Sequence, residues 1–100
     1  MSLARDIIYS QYDYPEMNLE YLSKEVFMSK FHFLRVFKQT FGITPYQMIR
    51  DVRINKIFQM VIQKDIDINE IAILTGVSEP NTVYSLYKEA LERRKSLAAL

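Results

Sequence analysis

Apolar residues recur at helical spacing along almost the whole chain. Ile7, Ile8 and Tyr12 alternate with polar residues from Ala4 onward, and Pro15 marks the break that follows. Met1-Ser2-Leu3 reads as an added start and is left out of the fold reading. Leu19, Leu22 and Val26 lie at i, i+3 and i+7, so a short helix is expected from about 19 to 26, with Asn18 as its N-cap. Ser29 opens a second helix over about 30–40, whose inner face is Phe33, Val36, Phe37 and Phe41, and Gly42 stops it. Thr44 and Pro45 open a long helix that ends near Lys64. Its stripe is wide: Ile49, Val52, Ile54, Ile57, Phe58, Val61 and Ile62. Asp67 caps a short helix from Ile68 to Thr75, with Ile68, Ile71 and Thr75 on one face, and Gly76 ends it. Ser78 or Glu79 opens the last helix, with Pro80 in its first turn and Val83, Leu86, Tyr87, Ala90 and Leu91 on its apolar side. No stretch alternates as a strand does. An all-α fold of about six or seven helices is predicted.

The elements repeat. Shifted by 49 positions, Leu19, Leu22, Val26, Met28 and Ser29 fall on Ile68, Ile71, Thr75, Val77 and Ser78. One inserted residue makes the shift 50, and Phe33, Val36, Phe37 and Lys38 then fall on Val83, Leu86, Tyr87 and Lys88. Each unit is a short helix, a tight turn with a capping Ser and a longer helix, which is the layout of a helix-turn-helix. The expected organisation is one unit over 4–43, a linker helix over 44–64 and a second unit over 65–100. The alternative is a pair of α-hairpins that only pack. The outer surface of the longer helices decides between them.

Composition narrows the chemistry. The chain has no Cys, one His and two Gly. Thiolate metal sites, disulfides, a Cys nucleophile and phosphate-cradling glycine loops are therefore not expected, nor is any cofactor. No nucleophile–base pair is visible, so the chain does not read as an enzyme. The acids Asp65 and Asp67 read as turn and N-cap residues, and His32 as a packed or capping residue near a helix start. No apolar run approaches the ~20 residues of a membrane span, and no signal peptide is visible. The cytoplasm is the expected location.

Taken as a total, a net charge of +1 argues against nucleic acid. Its distribution reverses that. Residues 1–29 carry −3, residues 30–64 carry +6, residues 65–92 carry −5 and the last eight carry +3. The basic middle holds the first unit's longer helix and the linker. Opposite Phe33 and Phe37, Lys30, Phe31, Leu34, Arg35 and Lys38 form one stripe at i, i+1, i+4, i+5 and i+8. Arg can pair bidentately with guanine, apolar atoms can meet a thymine methyl, and Lys can neutralise phosphate. The linker adds Arg50, Arg53 and Lys56. Its ~20 residues would span about 30 Å, close to the ~34 Å of one DNA turn, a length suited to setting two units in successive major grooves. Two readings stay open for Phe31, a base or sugar contact and a partly buried packing aromatic. Arg53 reads either as a phosphate contact or as a structural residue. Arg93, Arg94 and Lys95 read either as phosphate contacts or as a solvated run complementing the helix dipole. Tyr84 faces DNA or a partner.

The run from Met28 to Pro45, MSKFHFLRVFKQTFGITP, resembles the first recognition helix and following turn of the DNA-binding domain of AraC-type bacterial transcription regulators. Arg53-Ile54 resembles that family's linker signature, and Ile68-Asn69-Glu70-Ile71-Ala72 with Thr75-Gly76-Val77-Ser78 resembles its second unit. The resemblance covers nearly all the chain. It implies a homeodomain-like tandem of helix-turn-helix units that binds double-stranded DNA. Carried over by position, Phe31, Leu34 and Arg35 fall where the first helix reaches bases, and Asn81, Thr82 and Ser85 where the second does. Lys30, Lys38, Arg50, Arg53, Lys56 and Lys88 are the candidates for the DNA backbone. RNA polymerase is the implied partner of the full regulator, the bacterial nucleoid the implied place, and a regulatory domain the implied part outside these residues.

The departures gather in the second half. The family's usual Arg in the second recognition helix is Ser85, and in place of its Gly, Thr-Pro and Tyr-Arg ending stands ALERRK, which reads as more helix. Phe27 replaces a Gly common in the first turn, and Ile57 replaces a small residue of the linker. The competing reading is a helix-turn-helix scaffold that docks a protein and binds DNA weakly or not at all.

Overall fold

Local capping chemistry sets most of the helix boundaries. The computed structural model describes residues 1–63 and 66–98, and the side chains of these except 97 and 98. Among the described residues six helices run in order: α1 (Ser2–Ser10), α2 (Leu19–Glu25), α3 (Lys30–Phe41), α4 (Pro45–Ile62), α5 (Ile68–Thr75) and α6 (Pro80–Ala98). Among the described residues there is no strand, and the fold is all-α. Asn18 Oδ1 accepts from the Tyr21 amide at 2.8 Å, and Ser29 Oγ from the His32 amide at 3.3 Å. Thr44 and Gln47 form a reciprocal capping box, with Pro45 at the first helical position. Asp67 Oδ1 accepts from the Asn69 amide at 3.2 Å. The Glu79 carbonyl accepts from the Thr82 and Val83 amides, so Glu79 stands at the start of α6. Gly42 and Gly76 close α3 and α5 at φ 77 and 76, in the left-handed region where a side chain is disfavoured.

One expectation changes. Helix α1 starts at Ser2, ahead of Ala4, and Met1 packs against the core, so the first three residues are part of the fold. Helix α6 runs unbroken through Ala90–Lys95 to Ala98, as the run ALERRK reads. Lys64 and Asp65, expected at the end of the linker and in the turn after it, lie outside the described residues.

Two hydrophobic cores form, and α4 serves both. Met48, Ile49 and Val52 join Ala4, Ile7, Ile8, Met17, Leu22, Phe33 and Phe37 in the first. Ile54, Ile57 and Phe58 join Ile71, Ala72, Val77, Val83, Leu86 and Ala90 in the second. A helix that turns one face to one core and another face to the next needs apolar residues around much of its circumference. This is why the stripe of α4 is wide. Ile62 and Ile68 fall at helix ends beyond the second core and are exposed, contrary to their place in the periodic pattern. Met17 and Met48 are buried although the pattern did not single them out. Thr75 replaces the apolar Val26 of the first unit and is fully buried; its hydroxyl donates to the Ile71 carbonyl at 2.8 Å, which satisfies it.

Candidate nucleic-acid interface

Helix α3 separates its two faces sharply. Phe33 and Phe37 are fully buried with ring centroids 5.6 Å apart, and Phe41 continues the stack 4.7 Å from Phe37. Held by that anchor, the opposite face shows Lys30, Phe31, Arg35 and Lys38 to solvent, with Leu34 half-buried among them. Phe31 is 84% exposed, so it is not a packing residue of the free domain. His32 is exposed rather than packed, and its ring Nδ1 accepts from Arg35 Nη2 at 3.4 Å. The side chains brought together are two lysines, one arginine, one phenyl ring and one leucine; Lys30 and Phe31 stand at the N-terminal end of α3, where the helix dipole adds positive potential, and Lys38 stands in its last turn.

The cations of α4 are placed differently. Arg53 Nε donates to the Tyr12 carbonyl and Nη2 to the Tyr14 carbonyl, both at 2.8 Å. Burial lowers its pKa, opposed by the charge of Asp13. Arg50 makes a two-pronged pair with Glu89 of α6, one prong being Nη1 to Oε1 at 2.7 Å. Lys56 Nζ sits 5.4 Å from the centre of the Tyr12 ring. The three candidates from the linker are therefore engaged within the chain, Arg53 most completely. Of the basic tail, Arg93 bridges Asp51 at 3.0 Å and Glu89 at 3.2 Å, and the Arg94 guanidinium lies 3.7 Å from the centre of the Phe58 ring. Apart from the Arg93–Glu89 pair, which lies at i,i+4 on α6, these contacts join segments far apart in the chain and were not legible from helical spacing.

The Arg50–Glu89–Arg93 cluster joins α4 to α6. Arg50 holds the Glu89 carboxyl below its ordinary 4.5, with Arg93 assisting, and Glu89 in turn raises Arg50. A carboxylate with a depressed pKa contributes stability that is complete above its unfolded pKa and is lost as pH falls through the folded value. Wild type is expected to lose more stability than Glu89→Gln between pH 7 and pH 3, read from denaturant midpoints at both pH values. Equal losses would show that the cluster contributes nothing.

In the second unit, Asn81, Thr82, Ser85 and Lys88 are all exposed on α6, and Tyr84 is 63% exposed. The Ser85 hydroxyl donates to the Asn81 carbonyl at 3.2 Å, within its own helix. Thr82 and Ser85 also line a groove of about 540 Å³ between the units, floored by Met17, Leu19, Ile49 and Leu86. This face holds one free-standing cation, Lys88, against three on α3. The turn before α6 is closely packed: a Cβ at Gly76 would lie 2.6 Å from the Asp13 carbonyl oxygen. That approach of the α1–α2 segment to the second unit left no mark in the sequence beyond the glycine itself.

The family model described as "Helix-turn-helix domain" matches residues 22–94, most of the chain. The chain belongs to the AraC-type helix-turn-helix family. Its fold is also that of two solved domains. One is the C-terminal domain of the two-component response regulator yesN from Fusobacterium nucleatum, 24% identical, with a TM-score of 0.83 over 89% of this chain and 92% of that one. The other is the C-terminal domain of AraT, a response regulator from Geobacillus stearothermophilus, 22% identical, with a TM-score of 0.84 over 91% of this chain and 75% of that one. No curated protein sequence matches the chain. As an AraC-type domain the chain is a DNA-binding regulator domain. No helix among the described residues is long and apolar enough to cross a membrane.

Proposed function

We propose that this AraC-type domain binds double-stranded DNA sequence-specifically, with α3 in the major groove. The observation that carries the reading is the outer face of α3, where Lys30, Phe31, Arg35 and Lys38 stand exposed over a fully buried Phe33–Phe37 anchor. Phe31, Leu34 and Arg35 reach base edges, and Lys30 and Lys38 meet phosphates. Asn81, Thr82 and Ser85 present hydroxyl and amide groups to a second groove, with Lys88 on the backbone. That unit contributes less, because its exposed face has one cation and its segment is acidic. Arg50, Arg53 and Lys56 hold α4 in place between the units, and phosphate contact is secondary for them.

The test is a duplex selected from a random pool by the wild-type chain. Arg35→Ala is expected to weaken binding to it by about 1–3 kcal/mol and to relax the preference at one position. Lys30→Ala is expected to weaken all duplexes alike and to lower the salt slope by about one. Wild-type affinity for the selected duplex in Arg35→Ala would remove α3 from the recognition role.

A protein-docking role for the second unit has one observation in its favour. Ile73, 76% exposed, and Leu74 stand on α5 where the repeat places Lys24 and Glu25 in the first unit. RNA polymerase as a partner, a regulatory domain joined to this one and a place on the bacterial nucleoid follow from the family reading. Binding that is insensitive to salt and to duplex would favour the docking role over DNA.

A further inference from the structure

Phe27 is the one non-glycine residue with positive φ among the described residues, at φ 57. A bulky side chain in that region is a true outlier. The repeat pairs it with Gly76, which has φ 76 and closes the equivalent turn of the second unit without strain. The turn itself is therefore ordinary, and the phenyl ring is what departs from it. Nor does packing within the domain account for the ring. It is 95% exposed, the most exposed of the large apolar residues among those described, while its neighbour Met28 packs against the first core. Both the backbone strain and the hydration of a bare ring stand unrelieved in the free domain.

Its place points to what relieves the second of these. Phe27 lies two residues before Ser29, the cap of α3, and four before Phe31, the other large aromatic left almost wholly in solvent. Along the chain the two residues lie on either side of Ser29 and Lys30, at the N-terminal end of the recognition helix. We propose that Phe27 is a DNA contact: its ring packs on the apolar faces of the sugars at the rim of the major groove that α3 enters. A residue one turn ahead of the base-reading positions stands outside the groove floor, so it meets sugar rather than base edges. The second unit has Gly76 here and lacks the contact. The rim contact adds affinity on the first unit's side, where the free cations also are.

This inference rests on α3 being the recognition helix, and the variants separate the two. Phe27→Gly removes ring and strain together, Phe27→Ala removes the ring and keeps the strained φ, and Phe27→Tyr keeps a ring. Affinity for the duplex selected by wild type is expected to fall about tenfold in both Phe27→Gly and Phe27→Ala, and to hold in Phe27→Tyr. The salt slope is expected to stay unchanged in all three, because no phosphate charge is neutralised by a phenyl ring. Phe27→Gly is expected to have a higher melting temperature than Phe27→Ala, which rules out misfolding as the cause of its weaker binding. Wild-type affinity in Phe27→Gly and Phe27→Ala, with Arg35→Ala still impaired, overturns the Phe27 contact alone. A wild-type chain that selects no duplex overturns both readings.

Discussion

Gly76→Ala is expected to destabilise the fold by about 2–5 kcal/mol, while Gly42→Ala costs about 1–2 kcal/mol. The two glycines have nearly the same backbone, φ 76 and φ 77, so the cost of forcing a side chain into the left-handed region, about 1–2 kcal/mol, is common to both. Their surroundings differ. A Cβ at Gly42 would meet nothing within 4 Å, whereas at Gly76 it would stand 2.6 Å from the Asp13 carbonyl oxygen and 2.7 Å from its carbon. Those are backbone atoms and cannot swing aside as a side chain would. Overpacking of this kind adds about 1–3 kcal/mol. At ~4–8 °C per kcal/mol for a domain of this size, Gly76→Ala should melt roughly 4–24 °C below Gly42→Ala. Equal melting temperatures would mean that the α1–α2 segment does not press on the second unit's turn.

Arg53→Ala is expected to cost about 2–3 kcal/mol of stability, through loss of two charge-assisted hydrogen bonds and the orphaning of two carbonyls. The guanidinium reaches Tyr12 and Tyr14, two residues apart, with two separate N–H groups at 2.8 Å each. A lysine ammonium is a point donor without that fork, so Arg53→Lys should recover less than half of the loss. Denaturant midpoints measure both variants. The same variants decide between the two readings of Arg53 that the sequence left open. At a temperature where Arg53→Ala is still folded, its salt slope for duplex binding should equal that of wild type. A slope lower by about one would make Arg53 a phosphate contact after all.

Arg53 shows where sequence reading stops. Its position on the linker helix was plain, and so was the similarity of Arg53-Ile54 to the family's linker signature. Its partners are carbonyls 39 and 41 residues earlier in the chain. A carbonyl belongs to every residue, so nothing in the residue types of Tyr12 or Tyr14 marks them as acceptors. The same holds for Arg50, whose partner Glu89 lies 39 residues on and is one of several acids in that segment. Phe31 was ambiguous for a related reason: a phenyl ring at the edge of an apolar stripe packs or stays bare according to what lies above it.

By itself the sequence determined an all-α chain of about six or seven helices, the caps Asn18, Ser29, Thr44 and Asp67, the repeat of two units and the stripe on α3, because each follows from residues three or four apart or from a cap beside its own helix. It also determined the family, through an ordered run of such residues from Met28 to Pro45. Only the tertiary structure decided which cations remain free. It divided the wide stripe of α4 between two cores, drew Arg50 and Arg53 into contacts across the chain, tied Arg93 and Arg94 to the linker helix, and left Lys30, Arg35, Lys38 and Lys88 in solvent. The physical reason is range. Helix periodicity and capping are local, whereas the partner of a charge is set by the packing of segments that lie dozens of residues apart.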